Sequence, residues 1–302
     1  MPLDKLPLVP IRPHGYFALA SREVTVKHPA RPAPVRLHCK IAGQGPPLLL
    51  IHGLMTSSYS FRYVIPALAA RYQVIVPDLP GAGRSETPLD LPVSARAIGQ
   101  LIAGLIEALQ IEPPVVVGNS LGGYQALWCA VLFPEHVRKL IIMHAPGFPQ
   151  FRLSMLLWLL AFPAGRSLMR WLMRRDPEGF AARNIHYQDR SIMSREEATE
   201  YGAIFRDPAR TELFIRILRE SFDPAARQEL EMRLMDVRMG KSWLPPVRLL
   251  WAREDVLVPP RFGPKYQKLL PSAELVWFDG ASHFLQVDDP DRTVREIMRF
   301  AV

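Results

Sequence analysis

Four short apolar runs constrain this chain more than any other feature: Leu48-Leu49-Leu50-Ile51, Val74-Ile75-Val76, Val115-Val116-Val117 and Leu140-Ile141-Ile142-Met143. A strand with one wet face alternates apolar and polar residues, so runs without a polar member predict strands covered on both faces, as in a parallel sheet. Helix-period segments lie between them; Ile98, Leu101, Ile102, Leu105, Ile106 and Leu109 form one apolar stripe. Val247–Trp251 and Glu274–Phe278 supply two further strands late in the chain. Val35, Leu37, Cys39 and Ile41 alternate with Arg36, His38 and Lys40, which predicts a half-exposed strand with Arg22–His28 as its hairpin partner. The sum is an α/β fold of eight mostly parallel strands flanked by helices.

The alternation breaks after His144-Ala145-Pro146-Gly147, and from about Phe148 to Gly240 the chain reads as helices only. This divides it into a first core segment, 1–147, with an N-terminal extension over 1–20, then a helical cap, 148–240, then a second core segment, 241–302. The last segment closes with a predicted helix capped by Asp289, with Pro290 in its first turn and Val294, Ile297, Met298 and Ala301 facing inward.

Composition narrows the function classes. The two cysteines, Cys39 and Cys129, stand in no Cys-x-x-Cys or Cys/His cluster, which argues against metal and disulfide scaffolds; no metal or other cofactor is expected. Met1–Pro13 is proline-rich and lacks the apolar stretch of a secretory signal, and the longest apolar run, Leu156–Phe162, is too short to span a bilayer. Cytoplasmic residence is the expectation. The net charge of +8 is spread over dispersed arginines without a nucleic-acid-binding signature, so no nucleic-acid partner is expected and the charge reads as solubility. Arg166, Arg170 and Arg174 lie four apart. They read as a solvated outer face of the cap, with contact to anionic lipid as the lesser alternative.

Gly118-Asn119-Ser120-Leu121-Gly122 sits where the valine run ends and a helix-compatible stretch begins. A serine between glycines at a strand-to-helix turn is what a nucleophile elbow requires, and the first N–H groups of the helix point where an oxyanion would form.

Taken together, the chain resembles the α/β-hydrolase superfamily over nearly its whole length. The resemblance rests on the elbow, on Ile51-His52-Gly53-Leu54, which looks like the family's oxyanion loop, and on Asp78-Leu79-Pro80-Gly81-Ala82-Gly83-Arg84-Ser85, which looks like its glycine loop. Arg253-Glu254-Asp255-Val256-Leu257-Val258-Pro259 and Gly280-Ala281-Ser282-His283-Phe284 complete it, in the order Ser…Asp…His expected of this fold. The resemblance implies Ser120 as nucleophile, His283 as base and Asp255 as the acid that orients it, with the N–H groups of Leu54 and Leu121 as the oxyanion hole. Asp255 is preferred to its neighbour Glu254 by its place before Leu257-Val258-Pro259. The alternative acid position of some relatives, after the preceding strand, reads His144-Ala145-Pro146 and holds no carboxylate. Asp78 is expected to bond the Gly81–Gly83 loop and His52 to brace the oxyanion loop, while His144 and His186 are read as ordinary polar residues.

Epoxide hydrolases and haloalkane dehalogenases resemble this chain around His52-Gly53 and His283-Phe284, but carry aspartate where this chain has Ser120. Serine suits addition to a carbonyl, so ester cleavage is expected, with thioesters and peracid formation inseparable by motif. Carbon–carbon bond hydrolases share the Gly-Asn-Ser elbow but typically follow the histidine with tryptophan, where this chain has Phe284. A catalytically idle binder is the alternative outside enzymes. The cap run Met155–Phe162, with Leu168, Met169, Trp171, Leu172 and Met173, is expected to line a pocket for a hydrophobic ester, to pack against the core, or both.

Overall fold

The computed structural model describes residues 3–302; Met1 and Pro2, the start of the N-terminal extension, lie outside the described residues. Strands β1 (Ala20–His28) and β2 (Arg31–Ala42) form the hairpin expected from their alternation, with Val24 opposite Leu37 and Val26 opposite Val35. After β3 (Pro47–Ile51), the short α1 (Ile65–Leu68) leads to β4 (Gln73–Pro77). Helix α2 (Ala95–Leu109), β5 (Val115–Asn119), α3 (Leu121–Leu132) and β6 (Lys139–Met143) continue the alternation. Six helices then follow without a strand: α4 (Phe151–Ala161), α5 (Pro163–Arg175), α6 (Pro177–Asn184), α7 (Arg195–Arg206), α8 (Pro208–Glu220) and α9 (Pro224–Arg238). The sheet resumes with β7 (Val247–Ala252), α10 (Phe262–Leu269) and β8 (Glu274–Phe278), and the chain ends in α11 (Leu285–Asp288) and α12 (Pro290–Ala301).

The eight strands make one sheet in the order β1-β2-β4-β3-β5-β6-β7-β8. β2 runs antiparallel to both β1 and β4, and every other pair is parallel. The apolar runs are explained by burial on both faces. Leu49 and Ile51 of β3 enter a core with Ile98 and Leu101 of α2 and Trp128 of α3, while Leu48 and Leu50 enter a second core with Ile65, Leu68 and Ile297. Each such side chain contributes about 1.5–3 kcal/mol through removal from water. Helix α2 begins where the Ser94 side chain accepts the Ala97 N–H and stops where Gln110 turns left-handed at φ 55°. In α12 the Asp289 side chain accepts the Arg292 N–H, with Val294, Ile297 and Ala301 buried and Met298 packed at the edge.

The helical insertion is fastened to the core by polar groups. Arg62, fully buried after a 3-10 turn at Ser58–Phe61, pairs with Glu197 of α7, which also accepts from the Tyr187 hydroxyl and the Ser194 N–H. The N-terminal segment joins in, since the carbonyls of Pro7 and Leu8 accept the N–H groups of Arg195 and Glu196 at the start of α7. On the far side, Arg210 of α8 donates to the Gly83 carbonyl. Among the described residues no helix is long and apolar enough to cross a membrane.

Candidate active site

Ser120 occupies the one-residue turn between β5 and α3 with φ 56° and ψ −126°. A side chain in this left-handed region costs on the order of 1–3 kcal/mol, which the surrounding hydrogen bonds must overcome. The Ser120 N–H donates to the Met143 carbonyl at 2.7 Å, and its carbonyl accepts from Gly123 at 2.9 Å. A Cβ at Gly122 would stand 2.3 Å from the His52 carbonyl oxygen, so only glycine lets α3 come this close to the end of β3. Gly53 is equally tight from the other side, where a Cβ would meet that of Ser120 at 2.9 Å. The turn therefore presents the serine hydroxyl beside the 52–54 loop.

Asp255 follows β7 and His283 follows β8. The imidazole Nδ1 of His283 lies 2.8 Å from Asp255 Oδ2, while Asp255 Oδ1 accepts the N–H groups of Leu257 at 2.8 Å and Val258 at 2.9 Å. Burial pushes this carboxyl up, but the nearby His283 and His144 and the Val258 N–H outweigh it and hold its pKa below the ordinary 3.8. An ionised Asp255 keeps the His283 proton on Nδ1 and leaves Nε2 with a free lone pair. Glu254 is exposed to solvent.

Ser120 and His283 share the wall of one cavity of about 550 Å³, together with Leu54 and Leu121. They are brought together without a direct hydrogen bond, since Ser120 Oγ has no bonding partner among the described residues. Such contacts commonly tighten only once substrate binds. The Asn119 side chain donates to the His283 carbonyl at 3.2 Å and so ties the elbow to the imidazole segment. Among the described residues, neither the Leu54 nor the Leu121 N–H donates to a backbone carbonyl, and Leu121 opens α3, where helix geometry leaves such groups free. Leu153 and Leu156 of α4, Met169 and Met173 of α5, and Phe214 and Leu218 of α8 form much of the remaining wall.

The residues expected to support the site do so by hydrogen bonding. His52 Nδ1 lies 2.8 Å from the Gly53 carbonyl and its Nε2 accepts the Leu79 N–H at 2.9 Å. Asp78 accepts the Arg84 N–H at 2.9 Å, within the glycine loop, as well as both the N–H and hydroxyl of Ser58. Asp288 accepts the Ser282 N–H at 2.8 Å and the Gln188 N–H at 2.9 Å; burial raises its pKa to about 6.

Two expectations need correction. His144 is no ordinary polar residue: it is fully buried at φ 52°, its ring 5.4 Å from that of His283 and its Nε2 3.9 Å from Asp255. Its Nε2 accepts the Ala252 N–H at 2.7 Å, and burial drives its pKa down to about 4, with Asp255 opposing the fall and His283 adding to it. The signal lay in its position, the strand end that holds the acid in some relatives. The ligating atoms of His144, Asp255 and His283 lie within 4.8 Å of one another. A cation could use that spacing, but the Ala252 N–H occupies His144 Nε2 and the carboxylate holds the His283 Nδ1 proton. Second, Met155, Trp158, Phe162, Leu168 and Trp171 neither line the cavity nor pack inward; their side chains are exposed.

A strained serine at a strand-to-helix turn and a carboxylate-bound imidazole on one cavity wall define the hydrolase class built on this doubly wound sheet. The chain belongs to the α/β-hydrolase fold family, whose match spans residues 46–290. It is 32% identical over 270 residues to an uncharacterised protein of Mycobacterium tuberculosis, covering 86% of this chain and 76% of that one. It is 30% identical to the 2-hydroxymuconate semialdehyde hydrolase of a Pseudomonas strain, covering 86% and 88% of the two chains. Among solved structures it is similar to the epoxide hydrolase CorEH, with a TM-score of 0.76 at 21% identity over 93% of this chain and 98% of that one.

Proposed function

We propose that this protein is a serine hydrolase of carboxylic esters with an apolar acyl group, and that residues 148–240 act as the cap over its site. The observation that carries the proposal is Ser120, held at φ 56° in an elbow and facing the cavity it shares with the Asp255-bound His283. His283 Nε2 takes the Ser120 proton as Oγ adds to the ester carbonyl. The developing negative oxygen lies against the N–H groups of Leu54 and Leu121, each donor contributing about 3–4 kcal/mol in comparable sites. The proton passes to the departing alcohol, the C–O bond breaks, and an acyl-enzyme remains on Ser120. Water, deprotonated by the same imidazole, then releases the acid. Asp255 holds the ring and stabilises its protonated form. The apolar wall from α4, α5 and α8 favours a hydrophobic acyl chain, and its methionines adapt to variable shape. Two buried free cysteines fit a reducing, cytoplasmic setting.

A second reading is favoured by the similarity to the 2-hydroxymuconate semialdehyde hydrolase, named for a ring-cleavage product: the same serine and histidine would cleave a carbon–carbon bond. The test is a panel of p-nitrophenyl esters, an acyl thioester and one dienoic ring-cleavage product, run beside Ser120→Ala. Ester turnover should exceed the dienoate rate and fall by about 10⁴–10⁶-fold in the variant. A dienoate kcat/KM above every ester's, or more than a tenth of the activity left without the serine, overturns the proposal.

A further inference from the structure

The α4–α5 pair presents a surface that the chemistry of the site does not use. Phe151, Met155 and Trp158 follow one another at helical spacing along α4, with Phe162 just past its end, and Phe151 is 81% and Trp158 65% exposed. On α5, Leu168 and Trp171 repeat the pattern, with Trp171 53% exposed. The opposite sides of the same two helices face the catalytic cavity, and Leu172 belongs to both, since it lines the cavity and is exposed at its rim. Apolar side chains in such number are rarely left in water on a chain that meets no partner.

Charge identifies the partner. Residues 148–175 contain five arginines and no aspartate or glutamate. Glu212 of α8 neutralises Arg170, whereas Arg174 and Arg175, and Arg152 where α4 borders the cavity, form no ion pair among the described residues. The Arg175 guanidinium lies 5.0 Å over the Trp171 ring, an aromatic body beside a cationic head. Exposed tryptophan and phenylalanine flanked by unpaired arginine match the boundary of an anionic bilayer, where rings sit at headgroup depth and guanidinium groups meet phosphate. A second copy of the chain fits poorly, because a two-fold contact would set arginine against arginine.

We infer that the outer face of α4–α5 docks on anionic lipid bilayers, setting the rim of the catalytic cavity at the membrane surface. The inference does not rest on the ester reading. It is tested by co-sedimentation of the full-length Ser120→Ala protein with dioleoylphosphatidylcholine vesicles and with vesicles in which half the lipid is dioleoylphosphatidylglycerol. Binding is expected only to the phosphatidylglycerol vesicles. The Trp158→Ser/Trp171→Ser variant should lower the partition coefficient at least about tenfold, and Arg174→Gln/Arg175→Gln should lower it about fivefold per charge removed. Circular dichroism checks that both variants keep the fold, as exposed positions should allow. Three results overturn the inference. One is no binding to phosphatidylglycerol vesicles at low salt, and another is equal binding by the tryptophan variant, which means adsorption of a basic protein. The third is a dimer in sedimentation velocity that the tryptophan variant dissociates, which assigns the face to self-association.

Discussion

The end of β5 and the helices α4 and α5 use apolar residues in opposite ways. Around the elbow every strand side chain is enclosed, and the backbone segments approach so closely that glycine is required between them. In α4, by contrast, Leu160 alone is fully buried among the described residues, and much of the remaining apolar surface faces either the cavity or solvent. Packing that tight has a single solution, so the end of β5 fixes where the Ser120 side chain stands. Helix α4 has no such constraint, since Leu160 is its single fully buried side chain.

The comparison is most directly broken by Gly122→Ala. The new methyl would lie 2.3 Å from the His52 and 2.6 Å from the Ile51 carbonyl oxygen, both backbone atoms that cannot yield. The expected cost exceeds about 4 kcal/mol and should appear as insoluble protein or a collapsed urea midpoint. Phe151→Ser in the insertion should leave the midpoint unchanged. A well-folded, fully stable Gly122→Ala protein contradicts the close approach.

His144 tests how far the enclosure extends behind the site. Its native pKa of about 4 lies below the ordinary 6.5, so between these values the unfolded chain binds the proton and the folded one does not. Stability therefore rises with pH across that window and is lost as pH falls from 6.5 towards 4, by up to about 3 kcal/mol. Asp288 works in the reverse sense, because its raised pKa, about 6, lets the native state keep a proton the unfolded chain releases. Urea unfolding of the wild type and of His144→Asn at several pH values separates the two. Asparagine tolerates the left-handed backbone, but its Oδ1 stands where Nδ1 does and leaves the Ala252 N–H unpaired, a cost that does not change with pH. The difference between the two curves should shrink as pH drops; a constant offset means His144 does not titrate in this range.

The smallest effect sharpens the insertion's role. Leu156 lines the cavity from α4, and Leu156→Trp should shorten it, lowering kcat/KM for p-nitrophenyl octanoate by about 10–100-fold while sparing the acetate. Equal losses on both esters would place Leu156 in the machinery rather than in selection.

Much of the core was legible in the chain because its signals are local. Uninterrupted valine and isoleucine runs need two covered faces, Asp289 announces the helix it caps, and the elbow carries its own glycines. The proposed site residues were legible for the same reason, each standing at a strand end with a short motif about it. What escaped is long-range. No local pattern tells that His144, at the end of β6, lies against a ring that follows β8. Nor does one tell that Pro7 and Leu8 cap α7. The apolar run Met155–Phe162 misled in part, because composition does not tell which of its side chains line the cavity, as Leu156 does, and which face solvent, as Trp158 does.

The two oxygens of Asp288 hold the N–H of Ser282, next to the imidazole, and the N–H of Gln188, in the insertion. The helical insertion and the segment that carries His283 are thus moored to one side chain. Neither segment can shift against the other without stretching or breaking one of these two hydrogen bonds.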